Sequence, residues 1–170
     1  MRLRCLVLLL ATGLLAAMAL AATAGAASTE RFTFTFSDSD PHFQQCDGFE
    51  ISLDTTLSGA VIVFFDETGE PIKVIVQSRG ADTLTNSVTG KAVVNRFVFE
   101  ELFTRIDGTD EFTHALVGFR FMGTAPGEGL FIQDVGRIVY SPEEEQILFL
   151  AGQHEAEDSD VGAAFCAALS

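Results

Sequence analysis

The chain of 170 residues carries 24 acidic and 10 basic residues, a formal net charge of −14, and contains 16 Phe, one Tyr and no Trp. Such an acidic surface repels nucleic acid and anionic membranes, which are bound through clusters of Lys and Arg. The length is that of one domain, and Phe side chains without polar atoms are suited to filling an interior. The composition therefore argues against a nucleic-acid-binding protein and indicates a single apolar core.

The first 27 residues predict a secretory signal peptide. Two arginines are followed by an apolar segment over residues 5–20 and then by small residues with A-x-A spacing. Cleavage near Ala26 or Ala27 leaves a mature domain over residues 28–170, with eight basic and 24 acidic residues and a net charge of −16. A retained N-terminal membrane anchor is the alternative. We expect an exported, extracytoplasmic protein with no stable membrane insertion after cleavage.

Short apolar segments at nearly regular spacing predict eight or nine β-strands. Most of them alternate between apolar and polar residues, which is typical of strands with one buried face. The predicted strands cover residues 31–36, 49–54, 57–66, 71–77, 83–87, 92–106, 111–122, 130–140 and 146–151. Residues 37–48 have the Asp, Pro and Gly content of a loop. A helix is predicted over residues 160–169, capped by Asp158 or Ser159.

The spacing of these strands predicts a meandering antiparallel sheet. The turns are short, and no helices alternate with the strands. We expect an all-β fold, a single antiparallel β-barrel of about eight strands with a short C-terminal helix, and a β-sandwich is the alternative. Residues 99–106 also suit a helix, but the Val/Phe alternation before them favours a strand. A closed barrel of this size has room inside for side chains or one small ligand.

Two cysteines remain once the leader, which contains Cys5, is removed. An even pair in an exported chain predicts a disulfide between Cys46 and Cys166, which would join the start of the domain to its last helix. Two buried free thiols are the alternative. A bond that closes so long a loop is expected to stabilise the domain by about 4–5 kcal/mol.

Several polar and aromatic side chains are predicted to converge inside the barrel. The pattern is that of a ligand pocket in an apolar cavity. The candidate ligand-binding residues are Asn95, Phe97, Phe99, His114 and Gln133. His114 and Glu101 are also the candidate acid/base residues of an enzyme. A solvent-facing or purely structural His114 is the alternative, and Arg120 with Asp134 is expected to form a cross-strand ion pair.

His42 and His154 are the candidate metal ligands. Each lies in an acidic segment close in sequence to one of the two cysteines, so the disulfide would bring them towards one another. Carboxylates with imidazoles can bind a divalent cation, although the spacing matches no known ligand motif. The alternative is two solvated acidic loops. The chain has no G-x-S-x-G nucleophile motif, and we expect no cofactor.

Short motifs spread along the mature chain suggest a relationship. They are Cys46-Asp47-Gly48-Phe49, Thr89-Gly90-Lys91, Pro126-Gly127-x-Gly129, Asp134-x-Gly136-Arg137, and Gly152 and His154 followed by Cys166-Ala167-Ala168-Leu169. With these motifs the chain resembles a family of uncharacterised small exported bacterial proteins. The strand layout more loosely resembles the barrels of the allene oxide cyclase and dirigent group, without a matching catalytic motif. The likenesses imply an exported bacterial protein and a barrel, but no activity.

Three functions remain open from the sequence. The first is a non-enzymatic exported β-barrel that binds a small apolar ligand or a protein partner, and the absence of nucleophile and metal motifs favours it. The second is a cyclase- or isomerase-type enzyme that uses the barrel interior, with His114 or Glu101 as acid or base. The third is an acidic surface protein that binds divalent cations.

Overall fold

The structure, a computed structural model, describes residues 27–127, 129–144, 146–158 and 160–170. Residues 1–26 of the predicted signal peptide and the predicted capping residue Ser159 lie outside the described residues. Within these ranges, no helix combines the length and the apolar character that crossing a membrane requires.

Seven antiparallel strands form one sheet, in which every strand pairs with its neighbours in the chain. They are β1 (Thr29–Cys46), β2 (Phe49–Phe65), β3 (Pro71–Asn86), β4 (Ala92–Arg105), β5 (Phe112–Ala125), β6 (Gly129–Tyr140) and β7 (Ile147–His154). Two helices follow, α1 (Glu155–Asp158) and α2 (Val161–Leu169). The all-β prediction is confirmed. The edge strands β1 and β7 do not pair with one another, so the sheet is open and the predicted barrel closure is not confirmed.

The strands are fewer and longer than predicted. Residues 37–48, predicted as a loop, mostly continue β1, and Pro41 lies in a bulge between Asp40 and Gln44. The predicted breaks within β2 and β3 are also wrong, because both strands pair without interruption along those stretches. Ladder hydrogen bonds from long neighbouring strands outweigh the local preference of Asp, Ser and Pro for turns. The predicted cap of the last helix is wrong as well, since Asp160 Oδ1 accepts the N–H of Ala163.

A row of mostly small residues crosses the inner face of the sheet, the face against which α2 packs. We call it the glycine row, and its members pair in register from β1 to β7: Phe34, Gly59, Ser78, Phe99, Gly118, Gly136 and Gly152. A Cβ at Gly118 would lie 2.4 Å from the carbonyl oxygen of Val98. The backbones of adjacent strands therefore approach too closely here for a side chain, as at the glycine kinks of curved sheets.

The glycine row divides the inner face into two halves. In one half, α2 inserts Phe165, Ala168 and Leu169 among side chains of the sheet and completes the main core. The disulfide between Cys46 and Cys166 fixes this helix to the end of β1, with 5.7 Å between the Cα atoms, and confirms the predicted bond. The other half, which α2 leaves uncovered, contains His114.

We expect the substitution Gly136→Ala to lower the free energy of unfolding by about 2–4 kcal/mol. The added Cβ would lie 2.1 Å from the carbonyl oxygen of Ala151, and the φ of +148° is unfavourable for any L side chain. Crowding and backbone strain each cost about 1–3 kcal/mol. Gly69→Ala is the control, since Gly69 has a φ of +86° and no atom within 4 Å. Urea unfolding of both variants checks the prediction, and equal losses would show that crowding at the glycine row is unimportant.

Candidate functional site

His114 occupies the half of the inner face that α2 does not cover. It lies in β5, directly opposite Phe103 of β4 and Tyr140 of β6. Its ring stacks on Phe103, with 4.5 Å between centroids and 10° between planes, and on Tyr140 at 5.3 Å and 30°. Strand register therefore places the imidazole between two aromatic rings, where only 9% of the residue is exposed.

A carboxylate lies beside each nitrogen of this imidazole. Nε2 is 3.6 Å from Oε1 of Glu101, and Nδ1 is 2.9 Å from Oε1 of Glu144. Among the described residues, neither nitrogen has a hydrogen-bond partner of acceptable geometry. Buried polar atoms without a partner are uncommon in structural positions. An imidazole held between carboxylates can take up a proton or pass one on, which is the chemistry of a general acid or base.

The turn between β6 and β7 brings Glu144 to His114. The N–H of Glu144 donates to the carbonyl oxygen of Ser141, and its φ is +58°. A non-glycine residue in this left-handed region is uncommon, and such conformations are often found at functional sites. Glu144 and Tyr140 were not among the residues predicted from the sequence. The available signal was the SPEEE segment that directly follows the strand beside His114.

The structure agrees with the predicted inner face of β4, but the side chains on that face have different partners. Asn95, Phe97, Phe99 and Glu101 share one face through their pairing with β3. Asn95 is almost completely buried. Its Nδ2 donates to Asp82, and its Oδ1 accepts the N–H of Met122 at the β4–β5 bulge. Asn95 therefore satisfies backbone and carboxylate groups of the fold, and the structure does not bring it to His114.

Gln133 does not join the other candidates. It alternates with Ile132 and Asp134, which are buried on the inner face, so its side chain lies on the outer face. Its N–H donates to Oε2 of Glu155. Gln133 therefore lies outside the inner face where it was predicted, because β6 pairs without a break from Ile132 to Tyr140 and its side chains alternate along that stretch.

The predicted ion pair between Arg120 and Asp134 is present and belongs to a larger network. Arg120 Nη2 donates to Asp134 Oδ2 at 2.7 Å and also to Glu157 of α1. His154 Nδ1 lies 3.3 Å from Asp134 Oδ1, and Asp134 is only 1% exposed. Burial alone would lower the pKa of Arg120, but the hydrogen bonds to both carboxylates outweigh burial and raise it. The network joins the segment after β7 to β5 and β6.

The two candidate metal ligands have separate partners. His42 Nδ1 lies 2.6 Å from Oε2 of Glu50 at the surface, whereas His154 is buried beside Asp134. Within the part of the chain that the structure describes, no group of three or more His, Cys, Asp or Glu side chains is arranged to hold a metal ion. Cation binding therefore remains a prediction from the sequence without a ligand set.

The edge strand β7 exposes an apolar run. Ile147, Leu148, Phe149 and Leu150 are 43%, 59%, 50% and 45% exposed, and the side of β7 away from β6 pairs with no described residue. From Ile147 to Gln153 the strand has no charge and no Pro. Its backbone groups and its side chains are thus both available at the edge.

The opposite edge strand β1 carries the features that usually prevent edge pairing. Charged residues, a proline and a bulge blunt edge strands in many proteins. In β1 these features are Glu30, Arg31, Asp38, Asp40, Pro41 and the bulge between Asp40 and Gln44. β7 shares only an irregularity in pairing, at Leu148 between Ile147 and Phe149, and from Ile147 to Gln153 it has no charged residue and no proline, so it is the less protected of the two edges.

Comparisons of the chain with protein-family models, with curated proteins and with solved structures find no match. The likeness to the allene oxide cyclase and dirigent barrels gains no support from them.

Proposed function

We propose that this protein is a non-enzymatic exported binding protein that takes up an extended segment of a partner protein along β7. The observation that supports it is the run of four exposed apolar residues on an unpaired edge strand. A sheet edge binds an extended chain through backbone hydrogen bonds, and alternate side chains give specificity. Exposed apolar patches of this kind commonly mark interaction sites.

The partner segment is a β-prone stretch with apolar residues at alternate positions. The protein has a net charge of −14, so neutral or basic residues beside that stretch favour the encounter. The segment from Ile147 to Gln153 has no charged side chain and does not repel the partner. In this proposal the added strand extends the open sheet beyond β7.

A protein partner fits this geometry better than a small apolar ligand. The main core is filled by the side chains of α2. Two cavities, of about 210 and 410 Å³, lie at the surface, and each is lined by at least one arginine. Drug-sized apolar ligands usually need a mostly enclosed apolar pocket, and neither cavity has that character.

We expect Leu148→Lys to weaken binding of a partner strand at least tenfold without changing the fold. A lysine on an edge strand opposes strand addition, and Leu148 is the most exposed of the four large apolar residues of β7. Extended peptides are first selected on the wild-type domain from a displayed random library, and their affinities for each variant are then measured. Val88→Lys is the matched control, because Val88 is 73% exposed in a turn away from β7.

Two results would contradict this proposal. One is a selection that enriches no peptide, and the other is a set of peptides that bind Leu148→Lys as tightly as the control. Sedimentation of the wild-type domain over a range of concentrations identifies a second copy of the chain as the partner. In that case the dimer is lost in Leu148→Lys and kept in Val88→Lys.

A second candidate function, an acid/base enzyme of cyclase or isomerase type, rests on His114. The imidazole lies on the inner face between Glu101 and Glu144, stacked on two rings and without a satisfied hydrogen bond in the described residues. Natural proteins keep such costly arrangements where activity requires them. If the cluster of His114, Glu101 and Glu144 had a structural role instead, it would stabilise the fold.

The double substitution His114→Leu and Glu101→Leu separates these roles. We expect the free energy of unfolding to stay constant or to rise, since replacing poorly satisfied buried polar groups by apolar ones is often neutral or stabilising. Asn95→Leu is the control on the same face of β4, and it should cost about 2–3 kcal/mol because it leaves buried groups without partners. Urea unfolding measures both. A loss in the double variant equal to that of Asn95→Leu would make the cluster structural.

A further inference from the structure

A groove of about 410 Å³ lies on the outer face of the sheet, across β1 to β4 and away from both β7 and His114. Its polar lining consists of two guanidinium groups and three hydroxyl groups. They belong to Arg79, Arg96, Thr35, Thr56 and Ser58. The lining contains neither Asp nor Glu, although acidic residues outnumber basic ones by 24 to 10 in the chain.

Strand register brings these groups together. Arg79 pairs with Val98 and Ala81 pairs with Arg96, so the two arginines are diagonal neighbours on the same face of β3 and β4. Ser58 pairs with both Arg79 and Thr35, which places its hydroxyl in the middle of the group. Diagonal neighbours on adjacent strands lie within reach of long side chains. The two guanidinium groups can therefore converge on one ligand.

Contacts with described residues of the protein do not account for the position of these two arginines. Neither forms an ion pair within the described residues, and the one side-chain hydrogen bond is a long contact of 3.4 Å from Arg79 Nε to Ser58 Oγ. Both residues are exposed. The two guanidinium groups, at diagonal positions of neighbouring strands, also repel one another. Elsewhere Arg105 and Arg120 each contact a carboxylate. Arg79 and Arg96 differ from them in this respect.

We propose that this groove binds the oxyanion group of a small organic ligand, a carboxylate, a sulfate ester or a phosphate ester. The planar guanidinium matches such groups with two parallel hydrogen bonds, and the hydroxyl groups of Thr35, Thr56 and Ser58 supply further donors. Val98, which is 60% exposed beside the arginines, offers an apolar contact for the rest of the ligand. This site is independent of the strand addition proposed for β7.

Titration of the mature domain with inorganic phosphate, sulfate and benzoate tests the proposal. The ionic strength is held constant with chloride, and the signals of the arginine Nε–H groups are followed by NMR. We expect saturable shifts of the Arg79 and Arg96 signals with at least one of the three anions. The anion that gives the tightest binding identifies the ester or the carboxylate as the recognised group.

Single substitutions decide whether the groove is the site. Arg79→Gln and Arg96→Gln should each weaken binding at least tenfold, while melting temperatures stay within a few degrees because both side chains are exposed. Arg137→Gln is the matched control, an exposed arginine on the outer face of β6. The proposal is overturned if no anion shifts the two signals, or if Arg137→Gln weakens binding as much as the groove variants do.

Discussion

Replacing both Cys46 and Cys166 by Ala should lower the free energy of unfolding by about 4–5 kcal/mol. The bond joins residues separated by 120 positions, so its loss frees nearly the whole domain in the unfolded state. The chain-entropy model gives a larger stabilisation for longer closed loops. For a domain of ordinary stability this is a large part of the total.

The packing of α2 adds a local reason for so large an effect. The helix has nine residues and is too short to be stable by itself. Phe165 and Leu169 are buried in the main core, and Cys166 lies between them in the same helix. Without the bond, detachment of α2 would expose the core residues Ile51, Leu84 and Val93.

Urea unfolding measures the loss, and the wild-type domain under reducing conditions provides the control. Reduced wild type and the double Ala variant should have nearly the same midpoint, since both lack the covalent link. A variant within about 1 kcal/mol of the oxidised wild type would contradict the expectation and would place the stability of the domain in the sheet alone.

Arg120→Met should lower the free energy of unfolding by about 3–5 kcal/mol. The substitution leaves the carboxylate of Asp134 buried without its cationic partner, and an uncompensated buried charge is strongly destabilising. It also removes the contact to Glu157, which connects α1 to the sheet. We therefore expect faster hydrogen exchange in the C-terminal part of β7 as well, because His154 shares this network.

A matched pair at the surface provides the control for this second prediction. Arg105 contacts Asp66 at 2.8 Å, but both side chains are more than a quarter exposed, so Arg105→Met should cost no more than about 1 kcal/mol. Combining Arg120→Met with Asp134→Leu removes the buried charge altogether and should recover part of the loss. If the combined variant loses the sum of the two single effects, the ion pair is not the cause.

The strands show how much of the fold could be predicted from the sequence. Alternation in residues 92–106 correctly places Asn95, Phe97 and Glu101 on one face, because the side-chain direction in a strand has a period of two and is a local property. The same pattern wrongly predicted strand ends within β2 and β3, at polar residues that pair with the neighbouring strand without interruption. Pairing with another strand is a long-range effect, and a window of a few residues does not contain it.

The same limit holds for the surroundings of His114, of which the sequence predicted only a part. Its proximity to Glu101 was a sequence hypothesis that the register between β4 and β5 supports, since Glu101 pairs with Leu116, two residues from His114. Glu144 approaches the imidazole only because of a turn with a positive φ after β6. Gln133 lies on the outer face because β6 alternates without a break from Ile132 to Tyr140, and which of the two faces is buried depends on pairing with β5 and β7.

The sequence by itself determined the all-β class, the disulfide between Cys46 and Cys166 and the inner face of β4. These features follow from residue type and from the alternation of neighbouring residues. Only the tertiary structure decided that the sheet stays open, that β7 is its less protected edge and that Arg79 and Arg96 meet in one groove. The physical reason is that closure, edges and cross-strand neighbours depend on which distant segments pair and in which register, and local patterns leave both undetermined.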